Sequence, residues 1–79
     1  MRLPRGVSGD DLCRALRSLG YEVTRQTGSH LRLTTKQHGE HHVTIPRHDP
    51  LRVGTLSAVI AEVARHHSLS REDLLQRLF

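Results

Sequence analysis

The chain has 79 residues, with Lys+Arg 12 against Asp+Glu 8 and a formal net charge of +4, so one small domain over 1–79 is expected. Its only cysteine, Cys13, excludes an intrachain disulfide and fits a reducing cytoplasm. No apolar run approaches the ~20 residues of a membrane-spanning helix, and "MRLPRGVSGD" lacks the apolar core of a signal peptide, so a soluble cytoplasmic protein with no membrane contact is expected.

Ser8 is placed to start a first helix, with Asp11 three residues on in a relative of the capping box. Leu12, Ala15, Leu16 and Leu19 recur at helical spacing, and Gly20 sits where a left-handed cap residue is expected. Arg14 and Arg17 fall on the outer side. Cys13, beside Leu12, reads as a packing residue.

Three short strands follow. In "YEVTRQ", Tyr21 and Val23 alternate with Glu22 and Thr24, and Thr27-Gly28 breaks the run. In "SHLRLTT", Leu31 and Leu33 alternate with His30, Arg32 and Thr34. "KQHG" makes the second break. In "EHHVTI", Val43 and Ile45 alternate with His42 and Thr44, and Pro46 ends the strand because it donates no ladder hydrogen bond. Breaks this short suit hairpins, so an antiparallel three-strand meander is expected.

"PRHDPLRVGT" reads as a loop. Leu56, Val59, Ile60, Val63 and Ala64 then form an apolar stripe at helical spacing, with Thr55 as its cap. A last short helix is expected from Ser70, with Asp73 three residues on and Leu69 and Leu74 as a hydrophobic staple. Leu75, Leu78 and Phe79 supply its apolar side.

The class is therefore α+β: helix, three-stranded antiparallel sheet, helix, with a short C-terminal helix. Only one face of each strand is apolar, so the helices should cover that face and leave the other to solvent. By parity the open face carries His30, Arg32, Thr34, His42 and Thr44.

Lys36 is the sole lysine, and arginine's planar fork suits phosphate. From Val23 to Thr55 the basic residues are Arg25, Arg32, Lys36, Arg47 and Arg52, against Glu40 and Asp49. Five of the seven histidines also fall there. This middle segment is a candidate surface for an anionic polymer. The bland alternatives are a charge bias that maintains solubility, and an Arg32 paired across strands with Glu22 or Glu40.

His38, His41, His42 and His48 invite a metal reading, since neutral imidazoles ligate zinc. No CxxC or HExxH pattern accompanies them, and His41 and His42 point to opposite faces of one strand. No metal and no small-molecule cofactor is expected. His66 and His67 end the second helix, where a cation complements the dipole. With only Tyr21 and Phe79 as aromatics, a platform that stacks single-stranded bases is not expected.

"SGDDLCRALRSLGYEVTRQTGSHLRL" followed by "VTIPRHDPLRVGTLSAVI" resembles the HicA toxin family of toxin–antitoxin systems, over a core of about residues 8–75. The specific pieces are the first helix ending in Leu-Gly-Tyr, the triplet Gly28-Ser29-His30, "VTIPRH" at 43–48 and "GTL" at 54–56. The resemblance implies a double-stranded-RNA-binding-domain-like fold, ribonuclease activity on mRNA, and a HicB-family antitoxin that covers the active face. It implies that His30 is the catalytic histidine.

RNA supplies its own nucleophile, the 2′-hydroxyl. Cleavage then needs proton transfer, which suits an imidazole with its ordinary pKa of ~6.5, and positive charge near the phosphate. The expected roles are His30 as general acid/base and Arg32 as phosphate contact on the same face. Gly28 would allow the tight turn, and Ser29 would orient the ring or a phosphate oxygen. Arg25, Lys36, Arg47 and His48 are further candidate RNA contacts. The rival readings are a noncatalytic RNA-binding module of the same fold and a basic domain that binds an acidic protein.

Overall fold

The computed structural model describes residues 3–79. The reading of the N-terminal stretch falls partly on residues 1–2, outside the described residues.

Helix α1 spans Gly9–Leu16. Its capping box is complete: the Asp11 amide donates to Ser8 Oγ at 3.0 Å, and the Ser8 amide donates to Asp11 Oδ2 at 3.1 Å. These two bonds satisfy donors that a helix start otherwise leaves open. A 3₁₀ turn, Arg17–Leu19, tightens the exit, and Gly20 caps it at φ 81°. Gly9 has a different reason to be glycine. A Cβ there would meet the Pro46 carbonyl oxygen at 2.1 Å, so only a bare Cα lets α1 start against the end of the third strand. The Gly9 amide donates to the His48 carbonyl at 2.9 Å and fixes that approach.

The sheet has order β1(Glu22–Thr27), β2(His30–Thr35), β3(His41–Pro46), antiparallel throughout. The hairpin meander is as the alternation predicts. In β2 and β3, Leu31, Leu33, Val43 and Ile45 are buried while His30, Arg32, His42 and Thr44 are exposed. Both α1 and α2(Val53–His66) pack on the apolar face, as required by a sheet with one wet side.

The core joins Leu12 and Leu16 of α1, Tyr21, the inward residues of β2 and β3, and Leu56, Ile60 and Val63 of α2. Thr35 is buried too; its hydroxyl donates to the Leu19 carbonyl at 2.7 Å. Helix α3(Arg71–Leu78) is capped by Ser70, whose hydroxyl accepts from the Asp73 amide, and buries Leu74, Leu75 and Leu78. Leu69 packs partly buried against the core.

Four local expectations are corrected. α2 begins at Val53 with Arg52 as N-cap and no side-chain cap, so Thr55 lies inside the first turn. Phe79 is half-exposed instead of completing the apolar side of α3, and Val23 is half-exposed because β1 is a sheet edge that α1 does not fully cover. The fourth correction is a register shift between Val23 and Arg25. Such a bulge inserts one extra residue on its strand, and here it brings Arg25 onto the same face as Thr24.

Candidate functional site

The Gly28-Ser29 turn joins β1 to β2, with Thr27 paired to His30. Gly28 does not adopt a left-handed φ, and a Cβ there would meet nothing within 4 Å. The turn geometry therefore does not demand glycine, contrary to the sequence expectation. What glycine does is leave the surface beside His30 bare. Ser29 Oγ lies 2.9 Å from His30 Nδ1. Among the described residues nothing hydrogen-bonds Nε2, so that nitrogen is the one presented to solvent.

Next to His30 along the open face stand Arg32 and, across the strand, Arg25. Thr44 pairs with Arg32 on its other side. Together Arg25, Thr27, His30, Arg32 and Thr44 line a shallow depression of about 180 Å³. Like charges directly opposed across strands destabilise a sheet. Among the described residues neither arginine has a carboxylate partner within salt-bridge distance. Glu22 instead faces Thr34 and Glu40 lies near His42, so the cross-strand acid partners weighed for Arg32 are elsewhere. Two opposed guanidiniums and an imidazole thus share one solvent-facing depression.

The other candidate residues lie outside it. Arg47 donates from Nε and from Nη2 to the two oxygens of Asp10 at 3.1 and 3.2 Å, which turns it toward α1. Hydrogen bonding to that carboxylate, and its charge, raise the arginine's already high pKa. The Arg47 amide nevertheless donates to the Ser29 carbonyl at 2.8 Å, so the loop carrying exposed His48 starts beside the Gly28-Ser29 turn. Lys36 lies past the other end of β2, roughly 20 Å from His30 at the rise of an extended strand.

A second histidine cluster escaped the sequence reading. It gathers Tyr21, His38, His41, His66 and His67 at the end of the sheet away from His30. His41 and His66 stack at 4.3 Å between ring centroids, and His38 and His67 meet edge-on at 5.4 Å. His66 Nε2 lies 3.0 Å from both the Gln37 and Gly39 carbonyls, which clamps the β2–β3 loop to the end of α2. His67 is only 5% exposed. Burial, and then the charges of His66, His38 and His41, push its pKa below the usual histidine value. It is a neutral packing group, which corrects the expectation of a dipole-stabilising cation there. Burial likewise lowers His41, with His66 as the next cause, and raises the Tyr21 hydroxyl to about 12.

The proton positions in this cluster follow from counting donors. Tyr21 Oη lies 2.7 Å from His41 Nδ1 and 3.1 Å from His67 Nε2. It has one proton, so it donates to one ring and accepts from the other. His67 Nδ1 is buried without a partner. A bare buried N–H is the rarer and costlier fault, so Nδ1 carries no proton and Nε2–H donates to Tyr21. Tyr21 then donates to His41 Nδ1, and His41 Nε2–H faces Glu62 Oε1 at 3.8 Å. The signal that would have found this cluster is long-range packing, not spacing along the chain.

Cys13 is buried, and burial raises its thiol pKa, in keeping with a packing role. Among the described residues no helix is long and apolar enough to cross a membrane.

Comparison with curated proteins and with solved structures returned no match. One family model matches, described as the HicA toxin of bacterial toxin–antitoxin systems, over residues 9–65. That span runs from the first residue of α1 to near the end of α2 and takes in the whole sheet, with Gly28, Ser29 and His30 inside it. The chain belongs to the HicA toxin family, and is the toxin component of a toxin–antitoxin pair.

Proposed function

We propose that this toxin is a metal-independent endoribonuclease acting on mRNA, with His30 as the general acid/base, and that a HicB-family antitoxin restrains it by covering the open sheet face. The observation that carries the reading is the depression around His30, where Arg25 and Arg32 oppose each other without a carboxylate. An arrangement that weakens the sheet gains a purpose once a phosphodiester sits between the guanidiniums.

With the scissile phosphate there, His30 Nε2 takes the proton of the 2′-hydroxyl. The 2′ oxygen attacks phosphorus, the bond from phosphorus to the 5′ oxygen breaks, and that oxygen is protonated by the imidazolium or by water. The products carry a 2′,3′-cyclic phosphate and a 5′-hydroxyl. Positioned proton transfer contributes about 10²–10⁴-fold, and the arginines stabilise the added charge on the phosphorane. Ser29 holds the ring through Nδ1. Gly28 leaves room for the RNA backbone, and Arg47, His48 and Lys36 are more distant backbone contacts.

The test is an RNA oligonucleotide with a single 2′-deoxy substitution at the cleaved nucleotide, assayed in excess EDTA. Cleavage of the all-ribose strand to a cyclic phosphate, and none of the deoxy strand, is the expected result. Equal cleavage of both strands would overturn the mechanism. Binding of both without cleavage of either would leave an RNA-binding module of the same fold.

A further inference from the structure

The open face continues past the His30 depression into a second array that the cleavage chemistry does not use. Thr24 Oγ1 lies 2.8 Å from Thr34 Oγ1, and Thr34 Oγ1 lies 2.7 Å from His42 Nδ1. His42 Nε2 faces Glu40 Oε2 at 3.6 Å. Glu22 is paired with Thr34 on the same face. The array begins four residues along β2 from His30, about 13 Å at strand rise, too far for one phosphate to touch both.

Its chemistry differs from that of the first site. Carboxylates of Glu22 and Glu40 flank it, so a phosphate would be repelled here. What the array offers is hydrogen-bonding edges. A carboxylate 3.6 Å from Nε2 favours the tautomer with its proton on that nitrogen, so Thr34 donates to Nδ1 and His42 presents Nε2–H beside Glu40. At 3.6 Å the two are beyond a direct hydrogen bond, which leaves a donor and an acceptor side by side, both open to a ligand. Paired donors and acceptors on an unstacked base are read in this way. The scarcity of aromatic residues rules out reading by stacking alone.

We infer that His42 and Glu40, braced by Thr34 and Thr24, form a base-reading subsite for an unpaired nucleotide near the cleaved bond, so that the substrate is single-stranded RNA. The inference rests on the ribonuclease reading for its substrate, but it is tested separately from it. The recognised group is a base edge; in a duplex the Watson–Crick edge is engaged by pairing and the Hoogsteen edge lies in a deep, narrow groove that side chains cannot read.

The experiment uses the full chain and a single-stranded RNA in which an abasic nucleotide is moved through the positions flanking the cleaved bond. At one position the abasic residue should slow wild-type kcat/KM by about tenfold, the scale of one good base contact. His42→Ala should slow the intact RNA by a similar factor. Combined at that position, the two losses should not multiply, because both remove the same contact. His42→Gln, which keeps a donor, should recover part of the rate. Multiplying losses at every position would overturn the proposal, and so would a His42→Ala protein that is folded by circular dichroism and cleaves like wild type. If the wild type cleaves nothing, the ribonuclease reading fails instead. The same cycle then runs on binding of intact and abasic RNA, where additive losses overturn the subsite and non-additive losses support it.

Discussion

Tyr21→Phe removes one oxygen from the interior and tests the proton assignment of the histidine cluster. The hydroxyl holds two imidazoles, at 2.7 and 3.1 Å. Each such bond contributes about 1 kcal/mol net, and a buried donor left bare costs about 1–3 kcal/mol. His67 is 5% exposed and already has one unpartnered ring nitrogen, so its Nε2–H would find no water. His41 is more accessible and would recover a bond to solvent. The expected loss is about 2–3 kcal/mol. A chain this size has roughly 4–12 kcal/mol in all, and the loss corresponds to a Tm lower by roughly 10–20 °C. Urea unfolding at pH 7.5 followed by circular dichroism measures it. Tyr21→Phe combined with His67→Phe should lose less than the sum of the two single variants, because the stranded N–H is gone. A Tyr21→Phe protein within 0.5 kcal/mol of wild type would refute the relay, as would imidazole nitrogen shifts placing the His67 proton on Nδ1.

The same cluster makes stability depend on pH. His41 and His67 are held below the ordinary 6.5 in the folded chain, chiefly by burial. Between those lowered values and 6.5 the unfolded chain binds more protons, so stability rises with pH there. Loss should begin as pH falls through about 6.5 and level off below the folded values, and urea midpoints across that range measure it; a flat profile would contradict it. Arg32→Gln should raise stability by a few tenths of a kcal/mol by relieving Arg25, while weakening RNA binding and reducing its salt slope by about 0.7 for one lost single-strand phosphate contact. Gly9→Ala should cost about 2–4 kcal/mol because its Cβ meets the Pro46 carbonyl oxygen at 2.1 Å. Gly28→Ala should leave the urea midpoint unchanged, since its Cβ meets open space, and lower only RNA turnover.

The elements were legible where local chemistry marks them. Ser8 with Asp11, Ser70 with Asp73 and Gly20 set helix ends through side-chain and left-handed caps, and alternation in 30–35 and 41–46 set the two faces. α2 starts earlier than expected because no capping side chain marks Arg52. The bulge beside Arg25 carries no glycine or other local sign, so strict alternation would have put Arg25 with Val23 on the helix side. Arg25 was nevertheless named as a candidate from charge alone. His30, Ser29 and Arg32 were legible because they are neighbours on one strand end. Arg47 was a candidate by charge, but its pairing with Asp10 depends on packing between residues far apart in sequence. The histidine cluster brings 21, 38, 41, 66 and 67 together only when the β2–β3 loop folds onto α2, and no window of the sequence contains that contact.

The most direct test of the account compares RNA cleavage in EDTA by the wild type and by His30→Ala. His30 is exposed, so the variant should stay within about 0.5 kcal/mol of wild-type stability and keep its circular dichroism spectrum. The account predicts cleavage by the wild type, at least 10²-fold less by His30→Ala, and no growth arrest when the variant is expressed without antitoxin. A folded His30→Ala protein that cleaves RNA and arrests growth like the wild type would contradict it.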